Sequence, residues 1–330
     1  MNAKELPWLR DHWQQLVHLA NSDRLPHALL VVAPEGLGVT MLASEYMHFL
    51  ICQNPENDKP CGECSSCHLF QAGTHPDFHH LSVEEKSRDI KIEQIRSLIE
   101  KLAERPHQNG RRLVLVEPAD AMNKSASNAF LKTLEEPGED TFLLLLTSRL
   151  EALPATIRSR CQVRYIKAPE ETLAIDHVLE HYPDQPAIVQ TAVRLAQNQP
   201  LTALELLQSG ALEERQDFFA YLSSMLRREM DPMTFAVKHK TTADVIKVSD
   251  WLYDLLSDAE KMSVGIGPDM LLNHDQKPLL EQLISRPVDN RYQWQQKLLE
   301  NKRLMVNATN INPQLTMETL MTGWIAFLAD

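Results

Sequence analysis

Four of the five cysteines fall in one short run, Cys52-x8-Cys61-x2-Cys64-x2-Cys67. Thiolates two residues apart can converge on one tetrahedral ion at ~2.3 Å, and four of them close its coordination sphere. A closed sphere leaves no position for a substrate. The expected group is therefore one structural zinc ion held by Cys52, Cys61, Cys64 and Cys67, in a module of about residues 52–67. An iron–sulfur cluster uses similar ligands, and His68 and His75 are donors that a fourth cysteine makes unnecessary. The N-terminal stretch MNAKELPWLRDHW has no apolar run of the kind that heads a secreted chain. Clustered thiols then read as metal ligands in a reducing compartment rather than as a disulfide framework.

A second candidate is APEGLGVT, residues 33–40, between an apolar run and a helix-like run. A phosphate-binding loop has the form G-x-x-x-x-G-K-[ST]: glycines let amides wrap phosphate oxygens, and the lysine neutralises charge. Gly36 lies inside the loop, and Gly38 and Thr40 hold motif positions. Ala33 stands where the first glycine belongs, and Val39 where the lysine belongs. The run LVLVE-Pro-Ala-Asp supplies Glu117 where a carboxylate would hold magnesium, but Pro118 where the next acid would polarise water. Gly36, Gly38, Thr40 and Glu117 thus outline a nucleotide site whose hydrolytic parts are missing, and the isolated chain is not expected to hydrolyse ATP. A plain strand–turn–helix with two glycines remains the alternative for the octapeptide alone.

The third candidate is Arg160, in Ser159-Arg160-Cys161 after a short helix-like stretch. A guanidinium on the rim of an α/β domain can reach a neighbour's γ-phosphate, being planar, always charged and bidentate. Supplied in trans, such a finger contributes ~10³–10⁵ in rate. A surface arginine paired with a local carboxylate is the competing reading.

These groups need a scaffold, and the apolar patterning outlines one. Strands are expected at His27–Ala33, Asp77–Leu81, Leu113–Glu117, Thr141–Thr147 and Gln162–Ile166. LVLV and FLLLLT are apolar enough to be buried on both faces of a parallel sheet. Ile92–Arg105 puts Ile92, Ile95, Leu98, Ile99 and Leu102 on one helical face and ends before Pro106. Lys124–Glu135 is the next helix. After Lys167 the strand pattern stops: Ala168-Pro169 reads as a linker, Glu170–Ser209 as helical with a break at Pro183–Pro186, and 211 onwards as helical throughout. The expected architecture is an α/β domain of a parallel sheet (1–167), a small helical domain (168–209) and a C-terminal helical domain (210–330).

The 330 residues carry 33 basic and 45 acidic side chains, a net charge of −12. Gripping DNA over a broad surface needs clustered lysine and arginine, so a chain that binds DNA over most of its surface is not expected, while a local or indirect contact stays open. No run reaches the ~18 apolar residues of a membrane span.

RLPHALLVVAPEGLG, CGECSSCHLFQAGTHPDF, SASNAFLKTLEEP and ATIRSRC together resemble the clamp-loader branch of the AAA+ ATPases, part of the bacterial DNA polymerase III holoenzyme. INPQLTMETL, ahead of a final apolar helix, is also similar to the family's closing segment. The likeness spans the whole chain, strongly to about Ile166 and loosely after it. It implies an AAA+ P-loop-type sheet domain with a zinc module, a lid, and a helical collar through which subunits assemble. It also implies ATPase subunits of the gamma/tau type, a delta subunit, a sliding clamp and, through the complex, primed DNA as partners in the bacterial cytoplasm. ATP would be bound by neighbouring subunits, with Arg160 as the finger toward one of them. Thr147 falls near the first sensor position, and Leu201 stands where a second sensor arginine would be. Val39 departs from the active subunits, as in the family's non-hydrolysing member. Two other readings compete: an AAA+ ATPase that still turns over ATP, and a zinc-stabilised nucleic-acid-binding module.

Overall fold

A computed structural model of the chain describes residues 5–22, 24–85, 87–104, 106, 111–267, 270–307 and 311–329. The chain divides into two compact units, residues 1–170 and 171–330.

The first unit runs α1 (Arg10–Asn21), β1 (Ala28–Val32), α2 (Val39–Ile51), α3 (Ser65–Gln71), β2 (Phe78–Leu81), α4 (Ile92–Ala103), β3 (Arg112–Val116), α5 (Lys124–Glu135), β4 (Thr141–Thr147), α6 (Ala155–Arg158) and β5 (Gln162–Tyr165). The five strands form one parallel sheet in the order β2-β3-β4-β1-β5. Every residue of β3 and β4 is buried, as their unbroken apolar runs require of central strands. The edge strands β2 and β5 are the polar ones.

Period-two alternation divides the sheet between two layers. Ala28, Leu30, Val114, Val116, Leu143 and Leu145 pack with Ile95, Leu98, Phe130 and Ile157 from α4, α5 and α6. On α2, Tyr46 meets the β4 ring Phe142 edge-on at 6.0 Å, and Trp13 of α1 meets Tyr46 at 6.3 Å. The Tyr46 hydroxyl donates to the Leu16 carbonyl at 2.9 Å, so the buried ring keeps its polar end satisfied.

One buried cation fixes the join between α4, α5 and β3. Arg112 donates to the carbonyls of Glu104 (2.9 Å) and Glu139 (3.0 Å), and to that of Leu102. Gly138 sits beside it at φ +79, where a Cβ would lie 2.7 Å from Arg112 Nη2. Gly138→Ala combines a left-handed backbone with that clash, so it is expected to lower unfolding free energy by ~1–3 kcal/mol. A denaturant melt checks this, and an unchanged midpoint would show that the guanidinium yields freely.

The second unit holds only helices among its described residues: α7 (Glu171–Leu179), α8 (Pro186–Leu195), α9 (Pro200–Gln208), α10 (Ala211–Leu226), α11 (Pro232–Lys238), α12 (Thr242–Ser263), α13 (Lys277–Ile284), α14 (Val288–Asn307) and α15 (Pro313–Ala329). The break expected around Pro183–Pro186 lies between α7 and α8. A further break, not expected from the apolar pattern, separates α8 from α9. There Gln197 and Asn198 both take positive φ (51° and 61°), and Pro200 opens the next helix. Two apolar clusters form: one from Ala174, Val178, Val189, Val193 and Leu204, the other from residues 218–328 around Leu252, Leu255, Met321 and Trp324.

Buried ionic groups hold the larger cluster's connections. Arg291 (2% exposed) donates to the carbonyls of Ile284 (3.1 Å) and Arg286 (2.6 Å) and pairs with Glu260 at 2.6 Å, closing the end of α13. Arg215 bonds Asp275 at 2.7 Å, and Asp258 accepts from the Asn273 amide at 2.7 Å.

On α12, Asp250, Asp254 and Asp258 recur every fourth residue. Burial, reinforced by Asp250 and Asp258 and partly offset by Lys261 and Lys302, pushes the Asp254 carboxyl from 3.8 up to about 6. The folded unit therefore holds this proton more tightly than the unfolded chain. Its contribution to stability is present at low pH and is lost as pH rises between about 4 and about 6. Asp254→Asn is expected to raise the melting temperature at pH 7.5 and to change it little at pH 4. An equal shift at both values would overturn the assignment.

Candidate metal centre, glycine loop and arginine rim

The cysteine run is brought to one point. The four sulfurs of Cys52, Cys61, Cys64 and Cys67 all lie within 4.8 Å of one another. Cys52 Sγ is 3.5 Å from Cys61 Sγ, which is 3.8 Å from Cys67 Sγ. A tetrahedron with ~2.3 Å arms has edges of ~3.8 Å, so the cage matches zinc. Local structure supplies the convergence: α2 ends at Ile51 and delivers Cys52, while Cys64 caps α3 and Cys67 lies in its first turn. Backbone amides face the sulfurs, Cys61 N–H to Cys52 Sγ at 3.2 Å and Cys67 N–H to Cys64 Sγ at 3.4 Å, as suits thiolate ligands. Burial opposes ionisation of Cys64, but the Gln53 and Cys67 amides and the neighbouring Cys67 and Cys61 side chains bring it down to about 6, whereas burial raises Cys52 and Cys67. A closed four-sulfur set offers no position for a reacting molecule. His75 is elsewhere occupied, its Nδ1 accepting from the Asp77 amide at 3.1 Å.

The module is tied to the sheet through rings. Phe70 of α3 stacks on His48 of α2 at 4.7 Å and contacts Phe78 of β2 at 4.7 Å. A second group of donors, Glu214, His239 and Asp244, also lies together. Lys247 already pairs with Glu214 there, its Nζ 2.8 and 2.6 Å from the two oxygens, and Asp244 accepts from the Thr241 amide at 3.0 Å.

Residues 33–38 form the loop from β1 into α2. Gly36 and Gly38 take φ 72 and 75, a left-handed backbone that favours glycine. Trp8 clamps the loop, its indole N–H donating to the Leu37 carbonyl at 2.9 Å. A cleft of about 330 Å³ opens over the loop, lined by Gly36, Gly38, Val39, Thr40, Glu117 and Ser148 among others. Val39 and Thr40, the first residues of α2, line this space, and the helix start, which has no side-chain cap, borders it with the positive end of its dipole. Among the described lining residues, however, the charged side chains are Glu35 and Glu117, and no lysine or arginine is present. The structure brings Thr40 and Glu117 together: the hydroxyl donates to the carboxylate, and His80 Nε2 lies 3.7 Å from its other oxygen.

Thr147 ends β4 at the same rim. Its hydroxyl donates to Asp120 Oδ1 at 2.7 Å, and Arg149 donates to Asp120 Oδ2 through Nε (2.9 Å) and Nη2 (2.6 Å). The sequence reading passed over Asp120 and Arg149. Their available signals were an acid three residues beyond Glu117 and an arginine two residues beyond the strand's end. Leu201 packs into the α7–α9 cluster as an apolar side chain.

Arg160 lies in the turn after α6, where neighbouring residues divide by side. Cys161 packs against the sheet's apolar cluster, and burial pushes its thiol up to about 11. The Arg160 side chain is 34% exposed. Its Nε and Nη2 donate to Glu135 Oε1, the former at 2.9 Å, and Nη1 donates to the Thr156 carbonyl at 2.9 Å. The local carboxylate partner considered from the sequence is therefore present.

A five-stranded parallel sheet with a glycine loop between β1 and α2, a four-cysteine cage and two helical clusters define the class by fold: an α/β domain of the P-loop type followed by helical domains. The family profile described as DNA polymerase III, delta subunit, matches residues 8–170, and that of the delta subunit's C-terminal part matches residues 209–326. The chain is 31% identical over 320 residues to the DNA polymerase III subunit delta' of Pseudomonas aeruginosa, covering 96% of each protein. It is 32% identical to the delta' subunit of Escherichia coli K12, over 96% of this chain and 93% of that one. The tau/gamma subunit of Haemophilus influenzae is 33% identical over 62% of this chain and 30% of its own length. This chain belongs to the delta' subunit family of DNA polymerase III. Among the described residues, no helix is long and apolar enough to cross a membrane.

Proposed function

We propose that this chain is the non-hydrolysing subunit of a bacterial sliding-clamp loader, and that it donates Arg160 to ATP held by an adjacent ATPase subunit. The observation that carries the reading is the pairing of a glycine cleft, whose charged side chains among the described lining residues are Glu35 and Glu117, with a partly exposed arginine on the same sheet domain. Without a lysine at Val39, a bound triphosphate would meet two carboxylates and no compensating side chain. The in-chain partners of Thr40 and Thr147 support the same view, since both hydroxyls already donate to carboxylates of this chain.

The partners are ATPase subunits of the gamma/tau type, a delta subunit and the sliding clamp, with primed DNA met through the complex in the cytoplasm. Zinc, held by Cys52, Cys61, Cys64 and Cys67, serves as a structural ion. The α7–α9 cluster (168–209) serves as a lid and the larger cluster (210–330) as the collar. An exposed apolar row on α14, Val288, Tyr292, Leu299 and Val306, supports an assembly role for the collar.

The test is the DNA- and clamp-stimulated ATPase of a loader reconstituted with Arg160→Ala against wild type, alongside nucleotide binding by the isolated chain. Turnover by the isolated chain that Thr40→Ala abolishes would favour the ATPase reading instead.

A further inference from the structure

We infer that Glu135 is the positioning residue for Arg160, an inference that rests on the trans-finger reading above. The side chain of a free surface arginine samples many rotamers, and a finger must present its guanidinium in one of them. Here Arg160 is gripped from two elements. Glu135, the last residue of α5, accepts from Nε and Nη2, and the Thr156 carbonyl in α6 accepts from Nη1. These contacts fix the guanidinium plane at its inner side, while 34% of the side chain stays open to a neighbour.

A second observation points the same way. A carboxylate in the last turn of a helix faces the negative end of the helix dipole and is locally unfavourable. Glu135 occupies that place on α5, with Glu136 as the C-cap. Arg160 meets the misplaced charge, and a locally unfavourable residue compensated by one specific partner is what a functional constraint leaves behind. The pair is half open to water, Glu135 being 51% exposed, so it adds little to stability. Its consequence is orientation.

The experiment is steady-state ATPase of the reconstituted loader, with clamp and primed DNA, carrying Glu135→Ala, Glu135→Gln, Arg160→Ala or Glu135→Ala/Arg160→Ala. Glu135→Ala is expected to lower the Arg160-dependent kcat by up to about tenfold, with assembly and KM for ATP unchanged. Glu135→Gln keeps an acceptor without the charge and should recover part of the loss. In the Arg160→Ala background, Glu135→Ala should cost nothing further, which a merely structural role would not predict. Arg160→Ala with undiminished turnover overturns the finger reading and this inference together. An impaired Arg160→Ala loader beside an unimpaired, or faster, Glu135→Ala loader overturns this inference alone, the faster case making Glu135 a competitor for the finger.

Discussion

A loader carrying Arg160→Ala is expected to assemble normally and to lose part of its clamp- and DNA-stimulated ATPase. A trans finger contributes ~10³–10⁵ to the one site it serves, so that site should fall silent while the others continue. The loss in total turnover is then the share of one site, and loss of clamp loading should exceed it if loading needs all sites. The substitution should leave folding intact. Arg160 is a third exposed and pairs with a half-exposed carboxylate, an arrangement worth ~0–1 kcal/mol. Thermal melts of the isolated chain should therefore coincide with wild type. Arg160→Lys is the informative companion: it retains charge but cannot satisfy Glu135 and Thr156 while reaching outward, so most of the loss should persist. Unchanged ATPase and unchanged loading in a normally assembled complex would leave this chain a scaffold.

Removal of the metal should have the largest effect on structure. Structural zinc contributes ~10–16 kcal/mol of apparent free energy in small metal-dependent modules, because the site does not exist in the unfolded segment. Residues 52–71 offer little else to hold them: among their described residues the buried ones are Cys52, Ser66 and Cys67. Stripping zinc, or replacing Cys67 with Ser, is expected to unfold α3 and expose the 53–63 loop to protease. The effect should spread through Phe70, which rests on His48 and Phe78. Metal analysis should give one zinc per wild-type chain and a marked loss in the variant, with the native protein colourless. A brown protein with visible absorption would replace zinc by an iron–sulfur cluster, and a metal-free chain with an intact protease pattern would remove the metal altogether.

Much of the first unit could be read from local pattern because local physics determines it. Runs such as LVLV and FLLLLT fit only strands covered on both faces, and β3 and β4 are covered there. The polar edge strands were weaker in pattern for the same reason: an edge needs less apolar surface. The α8–α9 break escaped because the apolar spacing runs through it, and two positive-φ residues before a proline interrupt the helix instead.

By itself the sequence determined the parallel order of strand and helix, the run of four cysteines that the structure gathers at one point, and the presence of Val39 where a phosphate loop would carry lysine. Each depends on residue type at short spacing, and short spacing is where chain geometry is rigid. The tertiary structure decided what those residues meet. It placed Thr40 on Glu117 across 77 positions, Thr147 on Asp120 across 27, and Arg160 on Glu135 across 25. Such pairings depend on strand order and on the ends of separate helices, which no local pattern encodes. The arginine therefore could be picked out from its motif, but the carboxylate that orients it could be found only in the fold.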